Sequence, residues 1–184
     1  KLMCIKLPIM GKIKIDFFRR YSGMHFIGIF ANNLEFENIK QNVMKITKRE
    51  DLKLINIHSK NISNMKNIVF ETIVFCKEID VDKDQKDIVE KICRSCEYII
   101  INSDITNTME ILPNKKVKCV TFGLNQKATI TISSVQDEKA IVAIQRNIEN
   151  LEGKKIELGE YEIKLYKFKN IHNLLAIASI FSIY

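Results

Sequence analysis

The stretch His25–Phe36, HFIGIFANNLEF, holds an apolar run that ends at Ala31-Asn32-Asn33 and passes directly into a pattern of helical period. Apolar residues at consecutive positions 26 to 30 mark a strand covered on both faces, as in a parallel sheet. From Leu34 to Glu50 the spacing changes. Phe36, Ile39, Val43 and Ile46 recur at three- and four-residue intervals and predict an amphipathic helix. A buried strand, a short polar turn and a helix make the first unit of a doubly wound α/β layer.

Further strand signals follow at Lys53–His58 (KLINIH), Asn67–Cys76 (NIVFETIVFC), Glu97–Ser103 (EYIIINS) and Val117–Gly123 (VKCVTFG). A second helix is predicted over Asp82–Cys96, with Ile88, Val89, Ile92 and Cys93 on one face. After Gly123 the pattern alternates apolar with polar, at Ala128–Gln136, Ala140–Arg146 and Lys154–Phe168, where Leu158-Gly159-Glu160 suggests a hairpin turn. That alternation predicts an antiparallel part with one wet face. The apolar run Asn170–Tyr184 predicts a closing helix packed on the main sheet. The expected organisation is one domain over residues 1–184: an N-terminal extension (1–24), a parallel α/β part (25–124), an antiparallel part (125–168) and the closing helix (169–184).

Composition agrees with a single core. The chain has 184 residues, 46% of them hydrophobic, with only 2 Pro and 6 Gly and no repeat or low-complexity tract. A net charge of +7 would suit a polyanion, and Arg19 and Arg20 lie between aromatics in a way that would stack on bases. The basic residues are nonetheless spread along the chain, which favours a solvated basic surface over nucleic acid. Five cysteines without a secretory leader point to reduced thiols in the cytoplasm. The longest apolar stretch, Leu174–Tyr184, is about half of what a bilayer crossing needs, so no membrane insertion is expected.

Four segments, in order, resemble the central ATP-binding domain of the Mur ligases and of the related folylpolyglutamate and cyanophycin synthetases. Phe26–Phe36 stands where that family has IGITGTNGKT, and Ile68-Val69-Phe70-Glu71-Thr72 where it has a strand with a magnesium-binding glutamate. Ile99–Asp104 resembles LNADD and Val117–Leu124 the strand and turn after it, while Lys169–Ala178 resembles the G-x-HN-xx-NALAA helix start near the adenine pocket. The resemblance implies a P-loop-like parallel sheet, with Mg and ATP or ADP as cofactors. It implies Gly28 and Asn33 in the phosphate loop, Glu71 as metal ligand, and Asn102, Asp104, His172 and Asn173 around the nucleotide.

The departures carry as much information. Ala31 and Leu34 stand at the other glycine positions of the loop, Phe36 at the magnesium-binding hydroxyl, and Glu35 at the lysine. A unit charge about 4 Å from a phosphate oxygen is worth roughly 4 kcal/mol at an effective dielectric near 20, so reversing its sign moves the balance by about twice that. Ile105 and Ala176 replace further family positions, no TNI-x-x-DH segment follows Cys76, and no counterpart of the domains holding the UDP-sugar and the amino acid is expected in these residues. The leading expectation is a non-catalytic, bacterial Mur-ligase-like scaffold or regulator of another protein subunit, linked to cell-wall synthesis, with nucleotide weak or absent. The alternatives are a residual Mg/ATP-dependent ligase or nucleotide module that works with other subunits, and a nucleic-acid-binding protein.

Each candidate also has an ordinary reading. Glu71 would be a strand-end carboxylate paired with a lysine. His172 and Asn173 would cap the last helix, and Asn102 and Asp104 would cap the turn into Thr106–Leu112. Cys93 and Cys96 form a C-x-x-C that fits core packing better than redox or zinc chemistry, since no second pair exists. His58, Ser59 and Asp51 lack the glycine-flanked elbow of a nucleophilic serine.

Overall fold

The computed structural model describes residues 23–105, 117–136, 139–164, 168 and 170–184. Arg19 and Arg20, the extension before Gly23 and Thr106–Leu112, for which the sequence carries expectations, lie outside these residues.

The parallel layer consists of β1 (His25–Phe30), β2 (Leu52–Ile57), β3 (Thr72–Phe75), β4 (Tyr98–Asn102) and β5 (Lys118–Phe122). β1 lies between β2 and β3, and all pairings along this series are parallel. Strands β6 (Ile130–Gln136), β7 (Lys139–Ile144) and β10 (Gly159–Lys164) continue the same sheet, giving eight strands in the order β10-β7-β6-β5-β4-β3-β1-β2. β7 pairs antiparallel with both β6 and β10. The predicted alternation in burial holds for β7, whereas β6 is buried only at Ile130 and β10 is exposed everywhere but at Ile163.

Helix α1 (Asn33–Thr47) and helix α3 (Ile171–Ile183) cover one face, over a core that includes Ile27, Ile39, Val43, Ile100 and Ile177. Helix α2 (Lys83–Ser95) and a 3-10 turn at Ile62–Met65 cover the other, over Phe30, Ile73, Phe75, Ile92 and Ile99. Cys93 and Cys96 lie in this second core, and Cys96 Sγ donates to the Cys93 carbonyl. Burial pushes the Cys93 thiol up, which keeps it unreactive. No helix among the described residues is long and apolar enough to cross a membrane.

Three expectations change. The run Asn67–Cys76 is not one strand: β3 begins only at Thr72, and Ile68 and Phe70 instead pack into the second core from the preceding loop. Leu158-Gly159-Glu160 is not a hairpin turn. The hairpin instead joins β8 (Ile148–Glu149) to β9 (Lys155–Ile156), with Gly153 at φ +79° and Asn150 Oδ1 accepting from the Glu152 and Lys154 amides.

Gly28, assigned to the phosphate loop by resemblance, is instead buried inside β1. A Cβ there would lie 2.6 Å from Ile57 Cδ1, 2.7 Å from Ile73 Cδ1 and 3.0 Å from Phe70 Cδ1. Its small size therefore serves packing of the second core. Gly28→Ala should cost roughly 1–3 kcal/mol, seen as a lower urea midpoint with an unchanged slope.

Candidate functional site

In an open parallel sheet, ligands collect at the carboxyl ends of the strands, where the strand order reverses. Here that point lies between β1 and β3, and the segments after β1, β3, β4 and β5 meet there with the first turns of α1 and α3.

Two helix heads point to this edge. At α1, Asn32 Oδ1 accepts from the Glu35 amide at 2.9 Å, and Glu35 Oε2 accepts from the Asn32 amide at 3.2 Å. This reciprocal capping box uses N–H groups that a helix head otherwise turns towards an anion. The Glu35 carboxylate also complements the positive end of the helix dipole. Its charge is felt by buried Cys76 at the end of β3, whose thiol is pushed up first by burial and then by Glu35. Asn33 Oδ1 accepts from Asn56 Nδ2 at 3.1 Å, and Leu34 is 67% exposed. The residues at this helix head do not fit a magnesium-bound polyphosphate: the Glu35 carboxylate occupies the anion position and Asn32 Oδ1 already takes the Glu35 amide.

The second head gathers four of the residues named by the sequence. His172 Nε2 lies 2.9 Å from Asp104 Oδ2, a contact satisfied when that nitrogen carries the proton. Asp104 also accepts from the Leu124 amide at 2.8 Å and from Asn125 Nδ2 at 2.7 Å. The Asp104 amide donates to Asn102 Oδ1 at 3.0 Å, and Asn102 ends β4 almost fully buried. Asn170 caps α3 by accepting from the Asn173 amide at 2.7 Å. Asn173 itself is 1% exposed, and its Nδ2 has no hydrogen-bond acceptor among the described residues. The cap of α3 is therefore Asn170 and not His172 or Asn173, whereas Asn102 does accept from the amide of the turn after β4.

Gly123 and Asn125 belong to this cluster but were not singled out from the sequence. A Cβ on Gly123 would come within 2.6 Å of Ser103 Oγ and 2.8 Å of Asp104 Oδ1, so only glycine admits the carboxylate. The available signal was a glycine ending an apolar strand and followed two residues later by Asn.

Glu71 is not part of this edge. It precedes β3, and its amide donates to Phe26 O at the start of β1. Five residues along a strand at roughly 3.3 Å each put it about 16 Å from Cys76, at the opposite edge of the sheet. There its carboxylate faces His25 Nδ1 at 2.5 Å and accepts from the Tyr184 hydroxyl at 3.3 Å. Beside it Arg49 forms a two-pronged pair with Asp51 at 3.1 and 2.6 Å and donates to the Tyr184 carbonyl. The assignment of Glu71 as a metal ligand beside phosphates is therefore corrected by its place in the strand. Asp51 and His58 likewise flank β2 at opposite ends, which separates them. Among the described residues, no group of three or more His, Cys, Asp or Glu side chains is arranged to hold a metal ion.

Sheet order, helix placement and the antiparallel extension together define a Mur-ligase-like fold. Among solved structures, the chain is similar to the UDP-N-acetylmuramate-alanine ligase MurC of Thermotoga maritima, at a TM-score of 0.53 and 15% identity over 92% of this chain. The match spans 43% of the MurC chain, so less than half of that ligase has a counterpart here. No protein-family model and no curated protein matches the sequence.

Burial raises the Asp104 pKa, but the Leu124 amide, Asn125 and His172 together more than offset this and leave it below the usual range. A depressed folded-state value stabilises the fold above the unfolded pKa of about 3.9, and this stabilisation fades as pH falls through the lower folded value. Thermal melts of wild type and Asp104→Asn should accordingly differ most above about pH 4 and converge in stronger acid.

Proposed function

We propose that this chain is a non-catalytic Mur-ligase-like protein that keeps the fold as a scaffold for protein interaction or regulation. The observation that carries this reading is the Asn32–Glu35 capping box. It places a negative side chain where a nucleotide's terminal phosphates would need cations and free amides. The buried Cys76 at the end of β3 and the location of Glu71 at the far edge support the same conclusion, because neither supplies a carboxylate to a metal at the α1 head. The link to cell-wall synthesis rests on resemblance to the Mur ligases.

One observation favours a second reading, a nucleoside-binding module that works with other subunits. Asp104, His172, Asn102 and buried Asn173 gather polar groups at one sheet edge without requiring phosphate recognition.

Calorimetry and thermal shift with Mg-ATP, Mg-ADP and adenosine separate the two. The scaffold reading predicts no heat and no shift with any of them, although a ligand at a hundredfold its Kd would add about 2.7 kcal/mol. Submillimolar binding of adenosine that is lost in His172→Ala would favour the second reading. Submillimolar Mg-ATP binding that exceeds adenosine binding would overturn the first.

A further inference from the structure

Among the described residues, β10 forms one border of the eight-stranded sheet and pairs with β7 alone. Every residue of β10 except Ile163 is exposed. In register with β7, Tyr161 lies opposite Val142 and Ile163 opposite Ala140, both buried, so Tyr161 and Ile163 occupy the helix-covered face. They border a cavity of about 350 Å³ that also touches Ile46, Val142 and Phe181. Glu160, Glu162 and Lys164 share the opposite face. An exposed strand border carries backbone donors and acceptors able to pair with another strand.

We propose that this border joins a second copy of the chain through antiparallel β10–β10 pairing about a two-fold axis. The register follows from geometry and charge. In an antiparallel ladder, residues opposite one another must turn their backbone groups the same way, so a strand meeting its own copy pairs residues of like parity. Two such registers keep five residues of Gly159–Lys164 paired. One centres on Tyr161 and sets Glu160 against Glu162, a like-charge contact. The other centres on Glu162 and sets Glu160 against Lys164 twice, with Tyr161 against Ile163 twice on the inner face.

Only the second register is self-complementary. Opposite charges and aromatic–β-branched pairs facing one another both stabilise a sheet. The two Glu162 side chains that meet at the axis each keep an ion pair with their own Lys139 at 3.2 Å, which tempers their repulsion. Because the axis is perpendicular to the sheet, both inner faces stay on the same side. The two apolar cavities then flank the Tyr161–Ile163 pairs, and the half-exposed Tyr161 rings gain cover.

A charge swap within the 184-residue chain tests this directly, with sedimentation velocity reading the assembly state and circular dichroism checking the fold. Wild type should be a dimer at high micromolar concentration. Lys164→Glu should weaken the dimer at least about tenfold, since both symmetry-related pairs become repulsive. The double variant Glu160→Lys with Lys164→Glu should restore the dimer by exchanging the partners. A monomeric wild type, an undiminished Lys164→Glu dimer, or a folded double variant as weak as the single one would each overturn the proposal.

Discussion

Burial of α3 is the constraint on which the arrangement of the molecule depends. Ten of its thirteen residues are buried, among them Leu174, Leu175, Ile177, Ile180 and Ile183. A helix that is apolar on all sides is stable only when enclosed, and this one is enclosed by α1 and the strands of the sheet. Five such side chains contribute on the order of 10 kcal/mol of burial, an upper figure before chain entropy is subtracted. At 1.5 Å per residue the helix is roughly 20 Å long, enough to cross the sheet from edge to edge. Its head therefore brings His172 to Asp104, while Tyr184 after its last turn reaches Thr72 and Glu71. One packing decision fixes both polar clusters.

The head of α1 shows how a fold keeps its shape while its chemistry changes. A helix start after a parallel strand offers a positive dipole and unpaired amides to whatever anion is available. In this chain the anion is the chain's own Glu35, held by Asn32 in a reciprocal pair. Such a box stabilises the helix and also competes with any external phosphate. The same two residues that form the cap therefore argue against a triphosphate site. A Mur-ligase-like sheet and a closed helix head are compatible because the sheet is built from core residues and the site from a few residues beyond the strand ends.

The fold was largely legible in the sequence because its signals are long and redundant. Consecutive apolar residues in EYIIINS and HFIGIF mark two-faced strands, and the run IHNLLAIASIFSI is too apolar for anything but an interior helix. The polar cluster was half legible: Asn102, Asp104, His172 and Asn173 do come to one edge of the sheet. The same lack of period that reveals a buried strand hides its ends, and the NIVFETIVFC run shows the consequence. The family resemblance set Glu71 at the strand end beside the site, but β3 begins only at Thr72, which leaves Glu71 at the opposite edge. Gly28 and Gly123 were equally ambiguous, since one makes room for isoleucine side chains and the other for a carboxylate, and sequence does not distinguish the two.

The central claim is that the Asn32, Glu35 and Phe36 amides at the head of α1 are already bound within the chain, the first two by side chains and the third by the Asn32 carbonyl. Amide-resolved NMR during titration with inorganic phosphate and then Mg-ADP examines this at the atoms concerned. The account predicts that the Asn32, Glu35 and Phe36 amide signals stay in place at submillimolar ligand. Saturable shifts centred on those three amides would contradict it.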